Sequence, residues 1–207
     1  MAIYFSSDHH FYHSNVIRYC SRPYSSVEEM NEALIANWNA VVKPEDEVIY
    51  LGDFSLAFRP VETITPRLNG RKLLIAGNHD WCHPYNRKSR GDKIHYWIEK
   101  YQEHGWIVLP EYSNADIPGL GKVSMTHFPL AEPISDTLDF YDNKHGKYKI
   151  EDTGGIHLCG HVHEKWKTKV GPNGGLQINV GVDCWNYTPV SVPQLVELIG
   201  SLNAPSI

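Results

Sequence analysis

Cysteine is scarce in this 207-residue chain: Cys20, Cys82, Cys159 and Cys184 stand far apart, and no two have Cys-x-x-Cys spacing. That excludes a disulfide-dense scaffold and a metal site built from paired thiolates. Long apolar runs are missing too, none approaching the roughly 18 residues a membrane span needs. The opening residues, Met1-Ala-Ile-Tyr-Phe-Ser-Ser-Asp8, show no basic leader. The expectation is a cytoplasmic protein with reduced thiols and no membrane partner. A large excess of one charge is absent as well. The formal net charge is -5, and 24 aromatic residues supply material for one sizeable core, which excludes intrinsic disorder.

That modest charge is unevenly spread. Residues 1–58 carry 3 basic and 8 acidic groups, residues 59–100 carry 9 and 4, and residues 101–207 carry 7 and 12. An acidic chain is poorly suited to neutralising the many phosphates on which duplex binding depends. Stable binding to duplex nucleic acid is therefore not expected, whereas a small phosphorylated substrate is compatible. Histidine, by contrast, is plentiful, with 12 residues scattered along the chain rather than gathered in a tag. Several of them are candidates for metal or proton chemistry.

Residues 2–7 read as a short buried strand ending at Asp8. Ser26-Val-Glu-Glu29 matches a capping box, and Met30, Leu34, Ile35, Trp38 and Val41 follow at helical spacing, which predicts a helix to about Val42 before Pro44. A strand at Val48–Leu51, a helix near 60–68 and a strand at Lys72–Ala76 come next. This alternation predicts an α/β sheet whose strand ends carry function. The second half offers strand-like pieces near 106–109, 122–126, 156–159, 166–170, 176–182 and 188–192 with fewer helices, which suggests a second, more antiparallel sheet. A last helix starts near Pro193 and runs to about Leu202. One domain over 1–207 is expected, with the polar and aromatic stretch 129–155 as a lid or specificity element.

Polar groups cluster at the ends of five apolar runs: Asp8-His9-His10, Gly52-Asp53, Gly77-Asn78-His79-Asp80, Thr126-His127 and Gly160-His161-Val162-His163. Asp8 and His10, like His161 and His163, are two residues apart, a spacing that in extended backbone turns both side chains to one side. Carboxylate, imidazole and amide oxygen are the donors expected for two hard or borderline divalent ions, with manganese, iron, zinc and nickel all compatible. Asp53 is the carboxylate best suited to bridge them. The glycines stand where the chain must turn sharply and approach closely.

All five blocks, in this order, resemble the calcineurin-like metallophosphoesterases, and the downstream Asn179-Val-Gly-Val-Asp-Cys-Trp-Asn186 with Pro189-Val190 looks like the tail of small stand-alone bacterial and phage-type members. The resemblance implies two packed mixed β-sheets flanked by helices, a four-layer αββα sandwich. It implies one metal held by Asp8, His10, Asp53 and His163, and a second by Asp53, Asn78, His127 and His161. It also implies His79 as the catalytic histidine, with Asp80 orienting its ring. The activity implied is hydrolysis of a phosphoester by a metal-activated hydroxide, with a diester favoured. A monoester on the same centre, or a catalytically silent scaffold of the same fold, are the alternatives. His13, Asn15 and Arg22 are weaker candidates for substrate contact, and His9, between two ligands, reads as structural.

Overall fold

The structure is a computed structural model and describes residues 1–131 and 149–202. Most of the expected lid, 132–148, therefore lies outside the described residues. In the first sheet, β1 (Ile3–Ser6), β2 (Glu47–Tyr50), β3 (Arg71–Ile75) and β4 (Trp106–Leu109) run parallel in that order, and β10 (Val190–Ser191) pairs antiparallel with β1. The second sheet has the order β5 (Ser113–Ile117), β6 (Gly121–Met125), β7 (Ile156–Cys159), β9 (Leu176–Asn179) and β8 (Thr168–Val170). Its two inner pairings are parallel and its two outer pairings antiparallel, so both sheets are mixed.

Side chains alternate across the first sheet with the period of two that extended backbone imposes. Phe5, Ile49, Leu51 and Ile75 face the second sheet and meet Val123, Met125, Leu158 and Ile178. Tyr50, Val48 and Leu74 face the other way, onto Met30, Leu34 and Trp38 of α2 (Val27–Val41). Each fully buried large side chain of this kind contributes about 1.5–3 kcal/mol. The polar atoms of the buried indoles are satisfied, Trp38 Nε1 donating to Asn69 O and Trp106 Nε1 to Thr65 Oγ1, both at 3.0 Å.

The sequence predicts α2 well. Ser26 Oγ accepts from Glu29 N at 3.1 Å, Glu29 reaches back to Ser25 N at 2.7 Å, and the helix gives way to extended backbone at Val42. The helix expected near 60–68 is divided into α3 (Arg59–Thr63) and a 3-10 turn at Thr65–Arg67, because Pro66 has no N–H to continue an α-helix. A short α1 (Ser14–Tyr19) follows the first ligand loop, and α4 (Lys93–Glu103) and the edge strand β5 were not anticipated. The closing helix, α5 (Val192–Leu202), sets Leu195 against the core between the sheets. Helices thus pack on the outer face of the first sheet. On the outer face of the second, the chain near Phe128 and Leu130 hydrogen-bonds His157 and Gln177, and two mixed sheets with flanking helices are the α/β architecture expected.

The parallel strands β1, β2 and β3 lead within three residues into Asp8, Asp53 and Asn78, and β6 and β7 lead likewise into His127 and His161. The two sheets are joined at this end, where Ser7 bridges Gly181 and Val182 N donates to Ser7 O at 3.2 Å. The carboxyl ends of parallel strands are where an open α/β sheet gathers functional loops.

Candidate metal centre

The loops carrying the site are held by short backbone bonds: Asp8 N to Gly52 O at 3.0 Å, His10 N to Asp53 O at 3.2 Å and Gly160 N to His127 O at 3.0 Å. Gly52 has φ +87°, and a Cβ there would strike the backbone of Gly77, so two ligand loops meet through glycine. The expected extended backbone is not what aims the ligands. Asp8, His10, Asp53, His161 and His163 all have positive φ, between 51° and 72°. Such left-handed conformations are uncommon away from glycine and cost free energy, and they cluster where surrounding structure dictates a functional geometry.

In this turned backbone the side chains converge as two sets. Asp8, His10 and His163 bring one donor atom each within 4.8 Å of one another, and Asp53, His127 and His161 do the same. His161 and His163 thus fall in different sets. Asp53 stands between the sets, its Oδ2 at 3.4 Å from His127 Nε2, 3.7 Å from His10 Nε2 and 3.9 Å from His79 Nε2.

Each carboxylate uses one oxygen for the protein and turns the other inward. Asp8 Oδ2 accepts from Ser7 Oγ at 2.5 Å and His161 N at 2.9 Å, while its Oδ1 is buried with no hydrogen-bond partner among the described residues. Asp53 Oδ1 accepts from His79 N at 2.9 Å, which leaves Oδ2 facing the imidazoles. The histidines are divided in the same way. His127 Nδ1 donates to Leu51 O at 2.7 Å, because a carbonyl can only accept, and Nε2 is buried without a hydrogen bond among the described residues. Asn78 Oδ1 and both ring nitrogens of His10 are likewise buried and lack hydrogen-bond partners among the described residues. A buried polar atom left unpaired costs about 1–3 kcal/mol, and divalent cations are the partners that this oxygen and nitrogen set fits.

Electrostatics follow from the same crowding. Burial pushes Asp8 above the usual carboxylate range. Burial acts likewise on Asp53, but the adjacent His127 and His79 outweigh it and hold this carboxyl well below that range. Burial keeps His10 neutral, with one ring nitrogen's lone pair available, whereas in His127 the carboxylate of Asp53 overcomes burial and lifts the ring to about 9. That pairing of Asp53 with His127 supplies negative charge and an imidazole nitrogen at one point, as a shared cation site requires.

The remaining candidates divide. His79 has its side chain 44% exposed at the mouth, close to Asp53 and with its ring 5.5 Å from that of His10. His13 reaches the same mouth, its ring 5.6 Å from His10. Asn15 is exposed in the first turn of α1, outside the hydrogen-bonded framework of the two sets. Asp80 is placed differently from the expectation. Its carboxylate is fully buried and accepts from Asp53 N and Gly77 N at 2.8 Å and from Phe54 N at 3.0 Å, so it ties two ligand loops together instead of orienting the His79 ring. Burial, then the charge of Asp53, raises it to about 7.

Arg22 is corrected more sharply. It is 4% exposed and has no face for a substrate, and all five of its N–H groups are engaged. Two reach Asp183 Oδ1 and Oδ2 at 2.8 and 2.9 Å, two reach the carbonyls of His9 and Asp8 at 2.8 and 2.7 Å, and one points at Met30 Sδ. Asp183, not singled out from the sequence, also accepts from His163 Nδ1 at 3.0 Å, leaving Nε2 of that ring to the ligand set. Its only advance signal was its place in the Asn179–Asn186 tail. Asn86 is another such residue, its Nδ2 donating to the carbonyls of Asn78 and His79. His9 is structural as expected, its Nδ1 bonded to the Tyr50 hydroxyl at 2.9 Å inside the core.

Known proteins agree with this architecture. A protein of unknown function, AQ665 from Aquifex aeolicus, superposes with a TM-score of 0.63 at 24% identity, over 95% of this chain and 98% of that one, a likeness of fold. An uncharacterized protein of Methanocaldococcus jannaschii is 34% identical over 95% of this chain and 90% of its own length. The gene 66 protein of Mycobacterium phage L5 is 30% identical over 97% of this chain and 95% of its own. Residues 1–192 match the family model of the calcineurin-like phosphoesterase superfamily domain, a span that holds every ligand loop described above. With its match spanning both sheets, the chain belongs to the calcineurin-like phosphoesterase superfamily.

Proposed function

We propose that this protein is a dinuclear metal-dependent phosphoesterase acting on a phosphodiester in a nucleotide or another small organophosphate. The observation that carries the reading is Asp53 Oδ2 facing three imidazole nitrogens at 3.4–3.9 Å, between two sets of donors that each have the composition of a divalent cation site. Asp8, His10, Asp53 and His163 would hold one ion, and Asp53, Asn78, His127 and His161 the other. Two cations held there would supply positive charge at the phosphoryl oxygens and lower the pKa of a bound water.

The protein's own groups do the rest. Asp53 joins the two sets, and its Oδ1 is fixed by His79 N so that Oδ2 cannot turn away. His79, half exposed at the mouth, is placed to stabilise the developing charge or to give a proton to the departing oxygen. Asp80 and Arg22 hold the ligand loops at their spacing. A cavity beside His127 offers room for an organic group carried by the phosphorus.

The test is Asp53→Asn, with metal counting and hydrolysis of paired chromogenic mono- and diesters after stripping and re-loading with manganese, zinc, nickel or iron(II). Wild type should bind two ions and favour the diester, and the variant should lose affinity for both. Two tightly bound ions in the variant would overturn the bridging assignment, and a wild-type preference for the monoester would overturn the diester.

A further inference from the structure

Beside the second donor set lies a cavity of about 180 Å³ that shares His127 with it. Its walls are rings. His83 is buried, and its centroid is 5.7 Å from Tyr85 and 6.2 Å from Phe128; Phe128 in turn stands 4.9 Å from His127. Tyr112 lines the same cavity. Tyr85 and Tyr112 remain 60% and 46% exposed.

The charge of this wall is as informative as its shape. Among the described residues lining the cavity, the one formally charged side chain is the carboxylate of Glu111, and neither lysine nor arginine is present. A second phosphate or an acidic leaving group would be repelled there, while a flat, uncharged group with N–H donors would meet rings to stack on and a carboxylate to bond. The Phe128 wall is held by its neighbour: the carbonyl of Phe128 accepts from Thr126 Oγ1 at 2.5 Å. Preformed aromatic walls with a few polar groups are the usual form of a small-molecule site.

We propose that this cavity seats a nucleobase carried by the phosphoester, stacked on Tyr112 and Tyr85 while the phosphate lies at the two donor sets. The proposal rests on the phosphoesterase reading and names the substrate class of that same site. Base stacking on an aromatic side chain contributes about 1–3 kcal/mol, or roughly 5- to 150-fold in affinity.

The experiment is calorimetric binding of adenosine monophosphate, ribose phosphate, adenosine and inorganic phosphate to manganese-loaded protein, wild type and Tyr112→Ala, with Tyr85→Phe as a stacking-competent control. Adenosine monophosphate should bind about 5- to 150-fold tighter than ribose phosphate. Tyr112→Ala should bring it down to the level of ribose phosphate, and Tyr85→Phe should keep the preference. Equal binding of the two phosphates by wild type, or an unchanged preference in Tyr112→Ala, would overturn the proposal. Inorganic phosphate reads the metal centre separately. If it does not bind, the phosphoesterase reading fails, and adenosine alone then decides: binding that Tyr112→Ala abolishes sustains the base site, and no binding refutes it.

Discussion

Asp183→Asn perturbs one donor set while leaving the other untouched. Asp183 is nearly fully buried and accepts three charge-assisted bonds, two from Arg22 at 2.8 and 2.9 Å and one from His163 Nδ1 at 3.0 Å. Asparagine keeps the shape but turns an NH2 toward one of these donors, and Arg22 has no acceptor to offer in return. Removing one partner of a buried ion pair costs about 3–5 kcal/mol, and the surviving amide oxygen recovers part of that. A loss of about 3 kcal/mol is expected, which for a domain of this size is a fall of roughly 6–12 °C in Tm.

The same substitution frees the His163 ring to change tautomer and orientation. Loss of a carboxylate behind a metal-binding histidine typically weakens metal affinity by about 10- to 100-fold. The set formed by Asp53, His127 and His161 makes no bond to Asp183, so only one of two binding events should shift. Chelator competition with manganese or zinc resolves the two, and thermal unfolding of the metal-free protein measures the stability term. Equal weakening at both sites would mean general loosening, and unchanged affinity at both would mean that Asp183 does not position His163. Either result refutes the reasoning.

Other expectations come from the same geometry. His79→Asn should keep the metal content while slowing hydrolysis by about 10²–10⁴-fold, and unchanged turnover would remove His79 from the chemistry. Gly160→Ala would drive a Cβ into the Ser7 hydroxyl and the Asp8 carboxylate, so a loss of about 1–3 kcal/mol by urea unfolding should accompany weaker metal binding at the Asp8 set. Burial depresses His157 to about 4 in the fold against 6.5 when unfolded. Its stabilising contribution is thus present above pH 6.5 and is lost as pH falls toward 4, by about 3 kcal/mol. Urea unfolding of His157→Gln across that range should show a shallower pH dependence than wild type, and identical slopes would refute it.

The elements legible from sequence were those whose burial is one-sided or complete. β1, β2 and β3 are short apolar runs ending in glycine or an acidic residue, and α2 has both a cap and a continuous apolar stripe. β5, Ser-Asn-Ala-Asp-Ile, is an edge strand that sends only Ala115 and Ile117 toward the core, so its polar half reads as loop. In α4, Tyr101 is the one buried residue, and its packing partners Phe58 and Trp81 lie on other segments. Pattern alone does not reveal a helix whose support is supplied from a distance.

The same division runs through the site. Donor residues at strand ends were visible because metal chemistry restricts residue type: only carboxylate, imidazole and amide could serve, and each followed an apolar run. What holds the donors was invisible because it obeys no such restriction. Arg22 resembled a phosphate ligand in one dimension, yet its partner is Asp183, 161 residues away, and its other bonds go to backbone carbonyls that carry no sequence signature. Asp80 likewise sits inside the motif but spends its carboxylate on three backbone N–H groups. A buried charge needs every lone pair or proton met, and those partners are gathered by the fold rather than by neighbours in the chain. Residues that touch substrate or metal are therefore the legible part of such a centre, and the buried charges that set their angles become assignable only once the two sheets have been brought together.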